Sequence, residues 1–331
     1  NHEILPEKLQ NREIRFIDAI SEAIEISMKN HPNLVLMGQD IAEYGGAFKI
    51  TEGFVEKFGK KRVRNTPLCE AAIVGSGLGL SINGYKSMVE MQFADFVTEG
   101  FNQIINNLAK THYRWNQNAD VVVRMPTGAG TGAGPFHSQS NEAWFAKTPG
   151  LKIAYPAFPD DAKGLLIQSF EDPNPVLFFE HKKLYRSLKG NVPEGFYTTP
   201  FGKARKVKEG NELTIITYGL GVHIALEFAE KNPEISLEIV DLRTLIPLDT
   251  ETIYESVKKC NKVIILHEDT LTCGFGAELS ALISEHCFED LDAPILRVAS
   301  MDTPIPFNKK LEDQFMPNEE LAEAVDKILK Y

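Results

Sequence analysis

The chain has 331 residues, 43% of them hydrophobic and 24% charged, with a formal net charge of −11. That length argues for two cores rather than one. The acidic balance argues against a nucleic-acid binder, which would carry a basic face, and no apolar run approaches the ~20 residues that span a bilayer. From the N-terminus, NHEILPEKLQ is polar and resembles neither a secretory signal nor a transit peptide. Residues 14–30 carry apolar side chains at helical spacing and predict an amphipathic helix, and 33–38 (NLVLMG) predicts a buried strand. Residues 70–85 predict a Gly/Ala-rich helix that packs closely, 86–93 a strand and 94–113 a helix. Strand 120–126 opens into a glycine loop. Strand 151–156, helix 160–172 and strand 175–181 follow. Alternating strands and helices predict a parallel, doubly wound α/β sheet. Residues 187–212 are rich in Gly, Pro and charge and have no apolar period, which puts a boundary there. Beyond it, 213–219, 236–249, 262–269 and 293–300 predict strands separated by helices, and 318–331 a closing helix. The expected organisation is a first α/β domain over 1–190, a linker over 191–210 and a second, smaller α/β domain over 211–331.

Four cysteines, Cys69, Cys260, Cys273 and Cys287, form no CxxC pair and no zinc spacing, so buried, reduced thiols are expected. Four glycine-bearing stretches invite a phosphate reading. GSGLG (75–79) is not GxGxxG and lies within a predicted helix, so close packing is its ordinary meaning. GAGTGAG (128–134) follows a strand but lacks the Lys and Ser/Thr of a P-loop, which makes it a mobile loop rather than a phosphate nest. YGLGVH (218–223) could hold an anion at a strand-to-helix turn, and EYGGAF (43–48) reads as a turn. Among titratable groups, Glu70 lies in the apolar run PLCEAAIVG. It fits either proton exchange with a weakly basic ring nitrogen or a helix-start carboxylate favoured by the dipole. His137, in GPFHSQS, fits either a surface residue or a proton donor whose tautomer neighbouring hydroxyls and amides could set. Ser138 lies in no GxSxG elbow.

These residues also occur within longer stretches: 65–96 (NTPLCEAAIVGSGLGLSINGYKSMVEMQFADF), 136–156, 161–186, 240–253 (VDLRTLIPLDTETI) and 297–307 (RVASMDTPIPF). In order and spacing, the chain resembles the β subunits of the thiamine-diphosphate-dependent 2-oxo acid dehydrogenases, nearly end to end. The resemblance implies a pyrimidine-binding α/β domain followed by a transketolase C-terminal-type domain. It implies oxidative decarboxylation of a 2-oxo acid, pyruvate or branched-chain, and transfer of the acyl group to lipoamide. By position it makes Glu70 the carboxyl that shares a proton with the aminopyrimidine ring of thiamine diphosphate, and Phe96 the aromatic stacked on that ring, where many relatives have Tyr. It makes Leu68 and Gln92 lining residues of the same pocket, and His137 the histidine of acyl transfer. It also implies a structural K+ held largely by main-chain carbonyls at segments matching Val121, Ser169, Asp172 and Asn174.

No segment resembles the GDG-to-Asn motif that holds Mg2+ and the diphosphate. The resemblance assigns that half to an α subunit or a fused α segment. It implies an α2β2 heterotetramer with a β–β contact, and a lipoyl acyltransferase core as further partner; EDLD (289–292) and the C-terminal helix fit either a docking surface for a basic domain or a plain solvated face. Bacterial cytoplasm is the expected compartment, ahead of the mitochondrial matrix after processing, and the absent starting Met fits a processed, a fused or a trimmed product alike. The competing classes are a transketolase- or deoxyxylulose-phosphate-synthase-like half enzyme, which FHSQSNEAWF disfavours, and a non-catalytic scaffold subunit, which Glu70 and His137 disfavour.

Overall fold

The computed structural model describes residues 3–5 and 11–331. The expectations for the rest of the polar N-terminus therefore lie outside the described residues. The first sheet has seven strands in the order 244–246, 152–154, 176–181, 121–127, 86–90, 34–38, 63–65. All its pairings are parallel except that of 244–246 with 152–154. Strands 34–38, 121–127 and 176–181 are buried along their whole length. That matches their mostly apolar sequences, because helices cover both faces of a parallel sheet, and the buried Arg124 and Glu180 within them pair with each other. Helix Phe16–Asn30 turns Phe16, Ile20, Ile24 and Met28 inward, each worth roughly 1.5–3 kcal/mol of burial.

The second sheet has five strands in the order 296–300, 263–270, 213–217, 237–241, 205–208, parallel except for the last. The segment 236–249, predicted as one strand, is two. Leu237–Asp241 stays in the second sheet, while Thr244–Ile246 crosses to the edge of the first. The predicted linker is also partly ordered. Lys189–Pro193 pairs antiparallel with Asn11–Arg15, and Arg205–Lys208 forms the second sheet's edge. These short edge strands lack the apolar run that marks a central one, so periodicity could not find them.

Helix Glu70–Ile82 packs closely where the sequence predicted it. A Cβ on Gly77 would come within 3.0 Å of Val89 and 3.1 Å of Ser87 Oγ. The predicted helix 94–113 runs from Ala94 to Trp115 and widens to a π-helical turn over Gln103–Leu108. Cys260 and Cys287 are buried and free, but Cys69 is half-buried and Cys273 exposed, so burial of all four thiols is not found. Among the described residues no helix is long and apolar enough to cross a membrane.

Candidate active site

In an open parallel sheet, ligand-binding residues gather outside the carboxyl ends of the strands. Here Gln39 follows strand 34–38, Glu70 follows 63–65, and Gln92 and Phe96 follow 86–90. The loop bearing His137 follows 121–127, and Lys182 follows 176–181. Glu70 is the first residue of its helix and is 8% exposed. A carboxylate belongs there because the helix start presents unpaired amides and positive dipole. Gln39 Nε2 donates to Glu70 Oε1 at 2.8 Å, while Gln39 Oε1 is buried without a partner among the described residues. Gly100 lies against the Glu70 main chain, 3.4 Å from Glu70 O to the position of an added Cβ. The helix that follows Phe96 is thereby packed on the start of the Glu70 helix.

Phe96 and Phe93 meet His137 edge-on, with centroids 5.4 and 4.8 Å away and interplanar angles of 81° and 89°. Leu68 is 80% exposed and Gln92 half-buried, beside the exposed Ala71, Ala72 and Ser76. The Gln39–Glu70 pair and the Phe96–His137 pair are thus linked through Gly100 into one wall at the strands' carboxyl ends, and the exposed Leu68 lies two residues before Glu70. The four residues implied for K+ lie at the opposite, amino ends of the strands. Val121 opens its strand, and Asp172 and Asn174 precede strand 176–181. Ser169 Oγ donates to Leu165 O. Asp172 Oδ1 accepts from Asn174 N and Nδ2, both at 3.0 Å, and Asp172 Oδ2 pairs with the Lys152 ammonium. The Asp172 carboxylate is thus already engaged by the Asn174 amides and the Lys152 ammonium. Among the described residues no cluster of three or more His, Cys, Asp or Glu side chains is arranged to hold a metal ion.

The glycine loop is tied down rather than free. Gly130 N donates to Glu312 Oε1 at 2.7 Å, Gly132 N to both Glu312 oxygens, and Ala129 N to Glu268 Oε1 at 2.5 Å. It is an anion nest in geometry, and its anions are the chain's own carboxylates. Gly128 and Gly134 require glycine. Their φ values are +91° and +73°, and an added Cβ would lie 2.1 Å from the His181 ring and 2.2 Å from Phe307.

Behind the loop lies a buried polar seam between the domains. Glu268 pairs with His181 Nε2 at 2.5 Å. Although burial opposes it, His181 and the Ala129 amide hold the Glu268 carboxyl below its usual range. Tyr218 OH donates to Glu142 Oε1 at 2.7 Å. Burial, with the charge of Asp269 nearby, pushes Glu142 up to about 8. Burial likewise drives Lys182 down to about 8, against the pull of Asp95, Glu268 and Glu312. A cleft of about 460 Å³ runs between the loop and the second domain, lined by Phe136, Ser138, Trp144, Asp269, Ile305 and Phe315. Gln39, Asp95, Glu268 and Glu312 were not found from sequence. Each is an ordinary polar residue whose partner is remote along the chain.

Residues 12–187 match the family described as "Transketolase, pyrimidine binding domain", and 202–321 match "Transketolase, C-terminal domain". The chain is 48% identical to "2-oxoisovalerate dehydrogenase subunit beta" of Bacillus subtilis, over 93% of this chain and 96% of that one. The chain belongs to the family of 2-oxo acid dehydrogenase β subunits. It is also 40% identical to "Pyruvate dehydrogenase E1 component subunit beta" of Bacillus subtilis, over 96% of this chain and 99% of that one. A solved "Split gene transketolase, inactive beta4 tetramer" shares the fold, with a TM-score of 0.76 at 23% identity over 96% of this chain and 98% of that one. The family is thiamine-diphosphate-dependent, and the wall fits the cofactor's aminopyrimidine end. It offers a carboxyl at a helix start, an orphaned amide oxygen beside it, an aromatic ring and an exposed leucine.

Proposed function

We propose that this chain provides the aminopyrimidine side of a site that decarboxylates a 2-oxo acid and passes the acyl group to a lipoyl group. Bound thiamine diphosphate would supply the carbanion-stabilising ring chemistry. The observation that carries the reading is the single wall: Gln39 fixes Glu70, whose helix is packed by the segment that sets Phe96 against His137. Gln39 orients the Glu70 carboxyl, which holds and exchanges the proton of the ring nitrogen. Phe96 and Leu68 contact the ring, with Gln92 at the rim. His137, held edge-on by two phenylalanines, donates a proton to the dithiolane sulfur as it opens.

The wall is open beside Leu68, Ala71 and Ala72, and an α subunit or α segment closes it, bringing Mg2+ and the diphosphate site, in an α2β2 assembly with a β–β contact. The lipoyl acyltransferase core docks through the acidic second domain, and a K+ bound by carbonyls near Val121 and Asn174 stiffens the far end of the sheet. A branched-chain 2-oxo acid is the favoured substrate, because identity to the relative named for 2-oxoisovalerate is 48% and to the one named for pyruvate 40%.

The test is Glu70→Gln in the complex reconstituted with its α half. Decarboxylation, measured with an artificial electron acceptor, is expected to fall by about 10²–10⁴-fold with assembly intact. Unchanged turnover overturns the Glu70 role. Comparing kcat/KM for pyruvate and branched 2-oxo acids tests the substrate class.

A further inference from the structure

His137 is fixed from one neighbouring turn. Asp95, 5% exposed, lies in the turn Ala94–Phe96. Its Oδ1 accepts three N–H donors from the two residues after the histidine: Ser138 N at 3.2 Å, Gln139 N at 3.1 Å and Gln139 Nε2 at 2.9 Å. The preceding residue, Ala94, accepts from Asn141 Nδ2 through its carbonyl at 3.0 Å. The residue after it, Phe96, presents its ring to the imidazole together with Phe93. On its other flank, His137 N donates to Gly134 O at 3.3 Å. A short turn that also carries the ring-contacting Phe96 thus holds both the backbone and the ring of His137. A carboxylate accepting several amides is stronger than a neutral acceptor. Asp95 Oδ2, buried and without a partner among the described residues, is a cost that the three bonds at Oδ1 offset.

We propose that Asp95 is a positioning residue for acyl transfer, locking the Ser138–Gln139 peptide so that the His137 imidazole stays where Phe93 and Phe96 set it. This rests on the assignment of His137 to acyl transfer given above. The carboxylate acts through the histidine and touches no reacting atom.

The test uses the α-containing holoenzyme, with reductive acylation of lipoamide and decarboxylation into an artificial electron acceptor measured side by side. Asp95→Ala is expected to slow acylation by about 10–100-fold, the cost of a displaced catalytic group, with decarboxylation changed by less than about threefold. Asp95→Asn, which keeps an acceptor at Oδ1 but loses the charge, should lose only about 3–10-fold in acylation. In the His137→Ala background, Asp95→Ala should add nothing. Equal loss in both reactions, no loss in either, or a further loss on top of His137→Ala each overturns the proposal. His137→Ala alone separates the two claims. If it leaves acylation intact, the histidine assignment fails. If it impairs acylation while Asp95→Ala does not, only the Asp95 proposal fails. Should Asp95→Ala not assemble, Asp95→Asn decides, and undiminished acylation in it overturns the proposal.

Discussion

Two faces of the His137 loop are built differently. On the seam side, the loop amides meet Glu268 and Glu312, and the strands beneath carry a closed ion network. On the Glu70 side, Leu68, Ala71, Ala72 and Ser76 are exposed and Gln39 Oε1 has no partner among the described residues. On the seam side the loop's amides and the His181–Glu268 pair find their partners within one chain. The Glu70 side keeps apolar residues at the surface. The difference teaches that this chain ties down the His137 loop with its own carboxylates, while the Glu70 face is left exposed, as the proposed α-completed site requires.

The sharpest way to break the closed side is Arg124→Ala. Arg124 is fully buried, bonded to Glu180 through Nε and Nη2 at 2.6 Å and to Glu90 through Nη1 at 2.5 Å. Removing it leaves two buried carboxylates without their cation, and a loss of about 3–5 kcal/mol in denaturant unfolding is expected.

Next comes a pH effect of the seam. Burial raises Glu142 to about 8 in the folded chain, whereas the unfolded group titrates near the ordinary ~4.3. The folded state therefore holds more protons between these values. The stabilisation is fully present below the unfolded pKa and is lost as pH rises through about 8. Glu142→Gln should flatten the fall in melting temperature between pH 5 and 8, by up to a few kcal/mol at the upper end. An unaltered slope would place the proton elsewhere in the seam.

Glu312→Gln tests the nest more gently. It keeps an acceptor for Gly130 and Gly132 but removes the charge, so about 1 kcal/mol should be lost, with faster amide exchange confined to 129–134. Smallest is Leu68→Ser on the open wall. The isolated chain's stability should change by less than about 0.5 kcal/mol, while affinity for the α half weakens by roughly 1 kcal/mol. A large destabilisation of the isolated chain would mean the wall is not half of an interface.

Much of the scaffold was legible. Strands 34–38, 86–90, 121–127 and 176–181 announced themselves as apolar runs because both faces of a parallel sheet are buried. Thr244–Ile246 was hidden in a longer apolar stretch, since periodicity says nothing about which sheet a strand joins. Glu70 and His137 stood out only as alternatives until the family stretches joined them. Asp95 and Glu312 gave no signal, because their partners are 43 and 180 or more residues away along the chain.

By itself the sequence determined the two α/β domains and the glycine loop at a strand end, because local periodicity and turn chemistry depend on near neighbours, while Glu70 and His137 were singled out by the family resemblance. Only the tertiary structure decided that the loop's amides are held by Glu268 and Glu312, that Asp95 grips the peptide after His137, and that the Glu70 face is left open. Those outcomes depend on which strand ends the sheet order brings together, and a long chain encodes that order in packing rather than in any single segment.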